Sequence, residues 1–333
     1  MPQFMKTHPF ILALALCCAI VSCKSEDLRS RLYSIEFPQA PVKLFDNIEA
    51  GVQRLGYLNV IQESDTLFRM YYIALPEGEE IRDTNFCLYH AWSRDLVNWH
   101  REVPQAEDNV LMRHLCDQYV CYLEGDEYPY RLVANVTNSR GKYDLSMWFS
   151  KDGINFTDRK VVLDDANHDS QTVLIPEDGY LKMYLRHTVR LGPGNYKRLL
   201  ATMRLDYQGN PITTMEDITD EFIYNSAASK LDEDFDLLLP TYFNNAPGLG
   251  DACHLNAYIQ HGLYSKPIEC PLNDWIREDE KWVSVGPGIL HLDGKSYIIY
   301  NTYSNSHDTS LLPDTVSKYE LIEIRISSSV WGE

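Results

Sequence analysis

The sequence predicts an all-β chain folded as a five-bladed β-propeller, with about four antiparallel strands in each blade. Three observations carry that reading. Short runs with strand character recur at intervals of roughly 50 to 60 residues: 67–74 (LFRMYYIA), 130–136 (YRLVANV), 180–186 (YLKMYLR), 235–243 (FDLLLPTYF) and 296–303 (SYIIYNTY). Most of them follow turn-forming residues such as Glu-Asp-Gly or Leu-Asp-Gly, as the second strand of a hairpin does. A second motif repeats with one constant offset: Ser93, Asp95, Asn98 and Trp99 match Ser150, Asp152, Asn155 and Phe156. Helical periodicity is almost absent, and a two-sheet sandwich, the structural rival, would not repeat at this interval.

The chain starts with an export-type segment. Lys6 is the only Lys or Arg before Cys23, and the apolar run from Phe10 to Val21 is too short for a bilayer span of about 20 residues. Residues 1–22 are therefore expected to be a signal peptide. Ile20-Val21-Ser22-Cys23 resembles the bacterial lipobox, which implies lipidation of Cys23, and Lys24-Ser25-Glu26-Asp27 resembles the surface-export signal of Bacteroidota lipoproteins. The expected location is the outer membrane, with exposure at the cell surface, and the lipid is the only expected membrane contact. Residues 23–44 are expected to tether a propeller at 45–333, with blades roughly at 45–105, 106–160, 161–212, 213–278 and 279–333. The Ser-x-Asp-x-x-Asn-aromatic motif reads as a turn between two outer strands of a blade, in which Asp and Asn bond the local backbone and the aromatic closes the turn. Asp206 to Asn210 keeps only this turn chemistry, and Trp275 is expected to mark the fourth copy.

Composition narrows the function. A hydrophobic content of 44% supports a real core, and a formal charge of −18 argues against nucleic acid and polyanions. Neutral ligands suit it better. Twenty-two tyrosines offer flat apolar faces with a hydroxyl at one edge, as a sugar ring requires, although Tyr also packs well on pleated strands. Cys87, Cys116, Cys121, Cys253 and Cys270 form no CxxC pair and no metal spacing, and read mostly as small buried apolar residues. No metal and no cofactor are expected.

Residues 88–99 (LYHAWSRDLVNW) resemble a blade motif of the five-bladed glycoside hydrolases of families 43, 32 and 68. His168-Asp169-Ser170-Gln171, with Gly179-Tyr180 and Tyr184-Leu185-Arg186, is similar to the third blade of a less characterised branch of that superfamily. Tyr224-Asn225-Ser226-Ala227 with Leu239-Pro240-Thr241-Tyr242 resembles its fourth blade, and Tyr303 to His307 its fifth. The resemblance covers roughly residues 45–333 and implies carboxyl groups on successive innermost strands, one protonated near the leaving oxygen and one ionised.

Innermost strands are expected to begin about 14 residues before the recurrent runs, near Gly56, Asp117, Asp169, Tyr224-Asn225 and Ser284. Asp169 is the first candidate for catalysis, with Asp117 and Glu49 as further carboxyls; Asp46 is weaker. In the first blade no acid stands at the strand itself, and in the third an Asp stands where the better-known families place Glu. Gln171, Arg186, Tyr224, Asn225 and His307 are candidates for substrate contact. The expected activity is glycoside hydrolysis on an oligosaccharide or polysaccharide. A non-catalytic glycan-binding lipoprotein is the alternative, and a scaffold for protein partners the third.

Overall fold

The computed structural model describes residues 34–332 except 81, 102–109, 165–169, 194, 220–222, 232, 243–253, 278–279 and 305–320. Cys23, Asp169, Cys253 and His307 lie outside the described residues. What is described is nearly all strand. The chain starts with β1 (Ser34–Glu36), β2 (Val42–Asp46) and a single turn of helix, α1 (Asn47–Ala50). Antiparallel strand sets then follow in sequence order. The first is β3 (Val52–Ser64), β4 (Leu67–Pro76), β5 (Cys87–Ser93) and β6 (Trp99–Arg101), with β7 (Met112–Arg113) also on β5. The second is β8 (Cys116–Tyr122), β9 (Tyr130–Thr137), β10 (Tyr143–Ser150) and β11 (Thr157–Leu163). The third is β12 (Ser170–Glu177), β13 (Tyr180–Gly192), β14 (Asn195–Leu205) and β15 (Glu216–Asp217). The fourth is β16 (Ile223–Lys230), β17 (Asp236–Tyr242), β18 (His254–Leu255), β19 (Ala257–His261) and β20 (Tyr264–Ile268). The last is β21 (Glu280–Leu292), β22 (Lys295–Ser304) and β23 (Leu321–Gly332), joined to the fourth in one sheet by a single parallel pairing of β16 with β21, Ala228↔Gly288.

The recurrent runs of the sequence become β4, β9, β13, β17 and β22, each the second strand of its hairpin. The first strands of the sets pack in succession, β3 on β8, β8 on β12, β12 on β16, β16 on β21, and β21 back on β3. Apolar residues fill the spaces between neighbouring sets. Ile61, Tyr71 and Leu88 of the first meet Val120, Leu132 and Trp148 of the second, and Phe45, Leu58 and Met70 meet Ile299, Ile322 and Ile324. Both faces of these sheets are covered, so the strands read as near-continuous apolar runs and not as strict alternation.

The repeated motif is a turn between third and fourth strands. Ser93 Oγ accepts the N–H groups of Asp95 (3.2 Å) and Leu96 (3.0 Å), and Asp95 Oδ1 accepts those of Val97 (3.0 Å) and Asn98 (2.7 Å). The second copy repeats the pattern, with Ser150 holding Gly153 N–H at 3.0 Å and Asp152 holding Asn155 N–H at 2.8 Å. Asp206 likewise accepts the N–H groups of Gln208 (3.0 Å) and Asn210 (2.7 Å). Trp275 does not mark a fourth copy. The outer strands β19 and β20 are joined through Gly262 and Leu263 alone, too few residues for that turn, and Trp275 ends a 3-10 turn beyond them.

The segment expected as a tether also holds structure. β1 and β2 both pair with β23, giving the last set the outer strand that follows no third hairpin of its own. Joining the chain's beginning to its end closes a sheet edge that would otherwise stay open. Cys87, Cys116, Cys121 and Cys270 are buried thiols without a disulfide, as the sequence suggested. Burial pushes the thiols of Cys121 and Cys270 up to about 12.

Candidate functional site

Each innermost strand carries a register irregularity near its beginning: between Gly56 and Asn59, Cys116 and Tyr119, Ser170 and Val173, Ile223 and Asn225, and Glu280 and Trp282. A bulge turns a side chain out of the pleat and toward a new target. In the first two sets the bulged residue is left-handed without being glycine: Tyr57 has φ 46° and Asp117 has φ 53°. Backbone of this kind is disfavoured for side chains with a Cβ and concentrates at functional sites.

The bulged side chains meet. Tyr57 Oη lies 2.6 Å from Tyr224 Oη. Arg186, on β13 opposite Ser170, donates to the Tyr224 carbonyl at 2.8 Å and stands 3.8 Å from Asp117 Oδ2. Asn135 Nδ2 donates to the same carboxylate oxygen at 3.5 Å. Tyr303 closes the group: its hydroxyl lies against Gly56, 2.9 Å from where a Cβ would stand. Every strand set therefore contributes, through Tyr57, Asp117 with Asn135, Arg186, Tyr224 and Tyr303. Asp117 and Arg186 are buried, while the three tyrosines as residues keep partial exposure.

Electrostatics keeps the phenols neutral. Burial, and then the neighbouring Tyr224 and Asp117, raise the Tyr57 hydroxyl well above the usual tyrosine range. Tyr224 is also raised, burial outweighing the opposing influence of Tyr57, Arg186 and Arg198. Two protonated phenols in contact use one hydrogen between them and keep the other for a further acceptor. Such a group can bind sugar hydroxyls by accepting and donating, with one carboxylate and one guanidinium beneath.

Among the candidates of the sequence, Asp117, Arg186 and Tyr224 come together here. Glu49 does not join them. It closes a capping box on α1, accepting the Asp46 N–H at 3.0 Å while Asp46 accepts its own N–H at 2.7 Å, and it sits 3.3 Å from Lys43. Its side chain is 53% exposed, on the turn that leads out of the outermost strand β2. The short Asp-x-x-Glu spacing is a helix-start signal, and this explains both acids of that segment. Asn225 is also a structural residue: fully buried, it donates to Ser284 Oγ (2.7 Å) and Val285 O (2.8 Å), tying the fourth set to the fifth. Asn59 makes the equivalent tie to Val120, as donor at 2.8 Å and acceptor at 3.0 Å. Gln171 lies on β12 within the third bulge. Tyr57, Asn135 and Tyr303 were missed, because a bulge has no signature in a lone sequence. Gln118 was missed too; it donates to the carbonyls of Tyr57 and Tyr71 and holds the first bulge in shape. Among the described residues no group of three His, Cys, Asp or Glu side chains could hold a metal ion.

No family model and no curated protein matches the sequence. Solved structures do match its shape. A β-xylosidase, RS223, superposes with TM-score 0.58 at 12% identity, over 86% of this chain and 94% of that one. The chain has the fold of the β-propeller glycoside hydrolases. An α-L-arabinofuranosidase from Podospora anserina, solved with cellotriose, gives TM-score 0.57 at 10% identity over 86% of this chain and 94% of that one. A glycoside hydrolase of family 130, described as targeting β-1,2 mannosidic linkages in Candida mannan, gives 0.57 at 13% identity over 89% and 94%. At these identities the likeness concerns the fold alone.

Proposed function

We propose that this protein is an exported, lipid-anchored glycoside hydrolase whose strand sets are the five blades of a closed propeller. The observation that carries the reading is the convergence of Asp117, Arg186, Tyr57, Tyr224 and Tyr303 at the beginning of the innermost strands. In a propeller, that end is where a ligand meets side chains from every blade. Asp169 directly precedes Ser170, the residue paired with Arg186, and it is assigned as the acid/base or nucleophile. Asp117 is the second carboxyl. Arg186 stands 3.8 Å from the Asp117 carboxylate, and hydrolysis needs one of the two carboxyls ionised and the other protonated. The substrate is an oligosaccharide or polysaccharide, bound by the tyrosine hydroxyls. The mature protein begins at a lipidated Cys23 and is held at the outer membrane, facing the cell exterior.

One observation favours a second reading, a glycan binder without catalysis. The first blade presents a phenol, Tyr57, at its bulge, and the contacts among the described residues bring a single carboxylate, Asp117, to the group. The test is a screen of the soluble chain from residue 24 onward against plant and host glycans, repeated with Asp169→Asn. Release of reducing sugar that falls roughly 10²–10⁴-fold in the variant supports the hydrolase. Retention on a glycan gel without release, unchanged in the variant, supports the binder. Neither release nor retention would defeat both.

A further inference from the structure

The long hairpin β13–β14 departs from the charge of the rest of the chain. Between Tyr180 and Leu205 stand six Lys or Arg and no Asp or Glu, in a protein with 48 acidic residues against 30 basic ones. Two of the six lie at the far end of the hairpin: Lys182, paired with Glu177 (3.0 Å) and Asp236 (2.8 Å), and Arg204, over the Tyr180 ring (4.8 Å). The others, Arg186, Arg190, Lys197 and Arg198, lie at the end that carries the site. Among the described residues, β13 pairs with β12 as far as Ser170↔Arg186, and with β14 through Thr188↔Arg198 and Arg190↔Tyr196 to Gly192↔Asn195.

The hairpin's two faces differ. Residues alternate across a strand, and cross-strand partners share a face. Arg186, Thr188 and Arg190 are therefore on one side, joined by Arg198 opposite Thr188. Arg186 reaches the Tyr224 carbonyl, and Arg198 is close enough to Tyr224 to act on its ionisation, so this side looks toward the tyrosine group. The other side carries His187, which bonds Asp217 at 2.7 Å. From the buried Arg186 through the half-buried Arg198 to the exposed Arg190, guanidinium groups follow one another outward from the candidate site.

We propose that this arginine face is a subsite for an anionic sugar, so that the substrate is a glycan bearing carboxylate or sulfate groups. The inference rests on the glycan-site reading above and names the substrate class of that same site. Guanidinium groups match such anions with paired N–H donors, and a row of them stepping away from the site suits charges spaced along an extended chain. The overall charge of −18 sets a repulsive background, against which a local row of guanidinium groups is more selective. A basic hairpin on a lipid-anchored protein could instead meet anionic lipid. The buried start of the row beside Asp117 and Tyr224 favours a ligand that enters the site.

The test is calorimetric titration of the soluble chain with trigalacturonic acid, a sulfated galactan oligosaccharide and neutral xylotriose, at low and high salt. At least one anionic probe is expected to bind tighter than xylotriose, and its affinity should fall with salt; which probe binds identifies the group. Arg190→Ala should weaken that binding about fivefold and Arg190→Glu by roughly an order of magnitude, while melting temperatures stay level. Equal or better binding of xylotriose, or anionic binding indifferent to both Arg190 variants, would overturn the subsite and leave the glycan reading standing. No binding of any probe, with no hit in the glycan screen, would overturn both. Sedimentation with phosphatidylglycerol vesicles that Arg190→Glu abolishes, with glycan binding intact, would assign the hairpin to lipid and end the inference.

Discussion

Replacing Gly153 by alanine tests the inter-blade geometry at one atom. Gly153 occupies the left-handed position of the Ser150–Asn155 turn, with φ 72°. An added Cβ would lie 2.5 Å from Tyr71 Oη and 2.8 Å from Tyr130 Cε1, and Tyr71 also donates to the Gly153 carbonyl at 3.0 Å. Tyr71 is fully buried, in a cluster with Ile61, Leu88 and Val120. Left-handed backbone costs about 1–2 kcal/mol for alanine, and forced overpacking about 1–3 kcal/mol more. Gly153→Ala should therefore destabilise by about 2–5 kcal/mol. Gly262→Ala supplies the control, because Gly262 has φ 58° but nothing within 4 Å of its added Cβ; it should cost only the backbone part. Chemical denaturation of both variants, and of Gly153→Ala combined with Tyr71→Phe, separates the terms. Removing the Tyr71 hydroxyl should recover about 1 kcal/mol in the combined variant relative to additivity. Equal losses for the two glycines, with additive behaviour toward Tyr71→Phe, would refute the packing argument.

Four further outcomes are expected. The Asn98 side chain, with the Asn98 and Val97 N–H groups, holds the Asp95 carboxyl well below its usual 3.8; its stabilisation is present above that value and is lost as pH falls below it. Melting temperatures should thus show Asp95→Asn destabilised at neutral pH, with the gap to the parent narrowing between about pH 5 and pH 2. Cys87, Cys116, Cys121 and Cys270 should resist a thiol reagent in the native chain and react only after denaturation; labelling of Cys121 in the folded protein would contradict its burial. Tyr57→Phe should leave the melt nearly unchanged and weaken whichever oligosaccharide the screen identifies by roughly threefold to tenfold, the worth of one hydrogen bond. Cys23→Ala should give a product that is neither acylated nor cut before residue 23, checked by lipid labelling; normal lipid-bearing protein from that variant would remove the lipobox assignment.

Much of the architecture was legible because it rests on local rules. The second strand of every hairpin showed as an apolar β-branched and aromatic run after a turn, and the Asp95 and Asp152 turns showed because their bonds close within a few residues. Strand spacing even led to Asp117 and Tyr224 before any coordinates. Misreadings arose where one local pattern serves two purposes. Asp46 and Glu49 read as carboxyls near a strand, but their spacing is that of a helix cap. Trp275 read as a turn aromatic, but β19 and β20 need no such turn.

The tertiary structure alone decided the rest. That residues 34–46 complete the last strand set depends on pairing with β23, almost the whole chain length away, and no local propensity encodes so distant a partner. That Tyr57 stands beside Tyr224, and Arg186 beside Asp117, follows from bulges that displace side chains out of the regular alternation. A sequence specifies strands through short-range composition and period. A site assembled from every strand set exists only once the sets have packed around one another, because its distances are set by register and bulge and not by spacing along the chain.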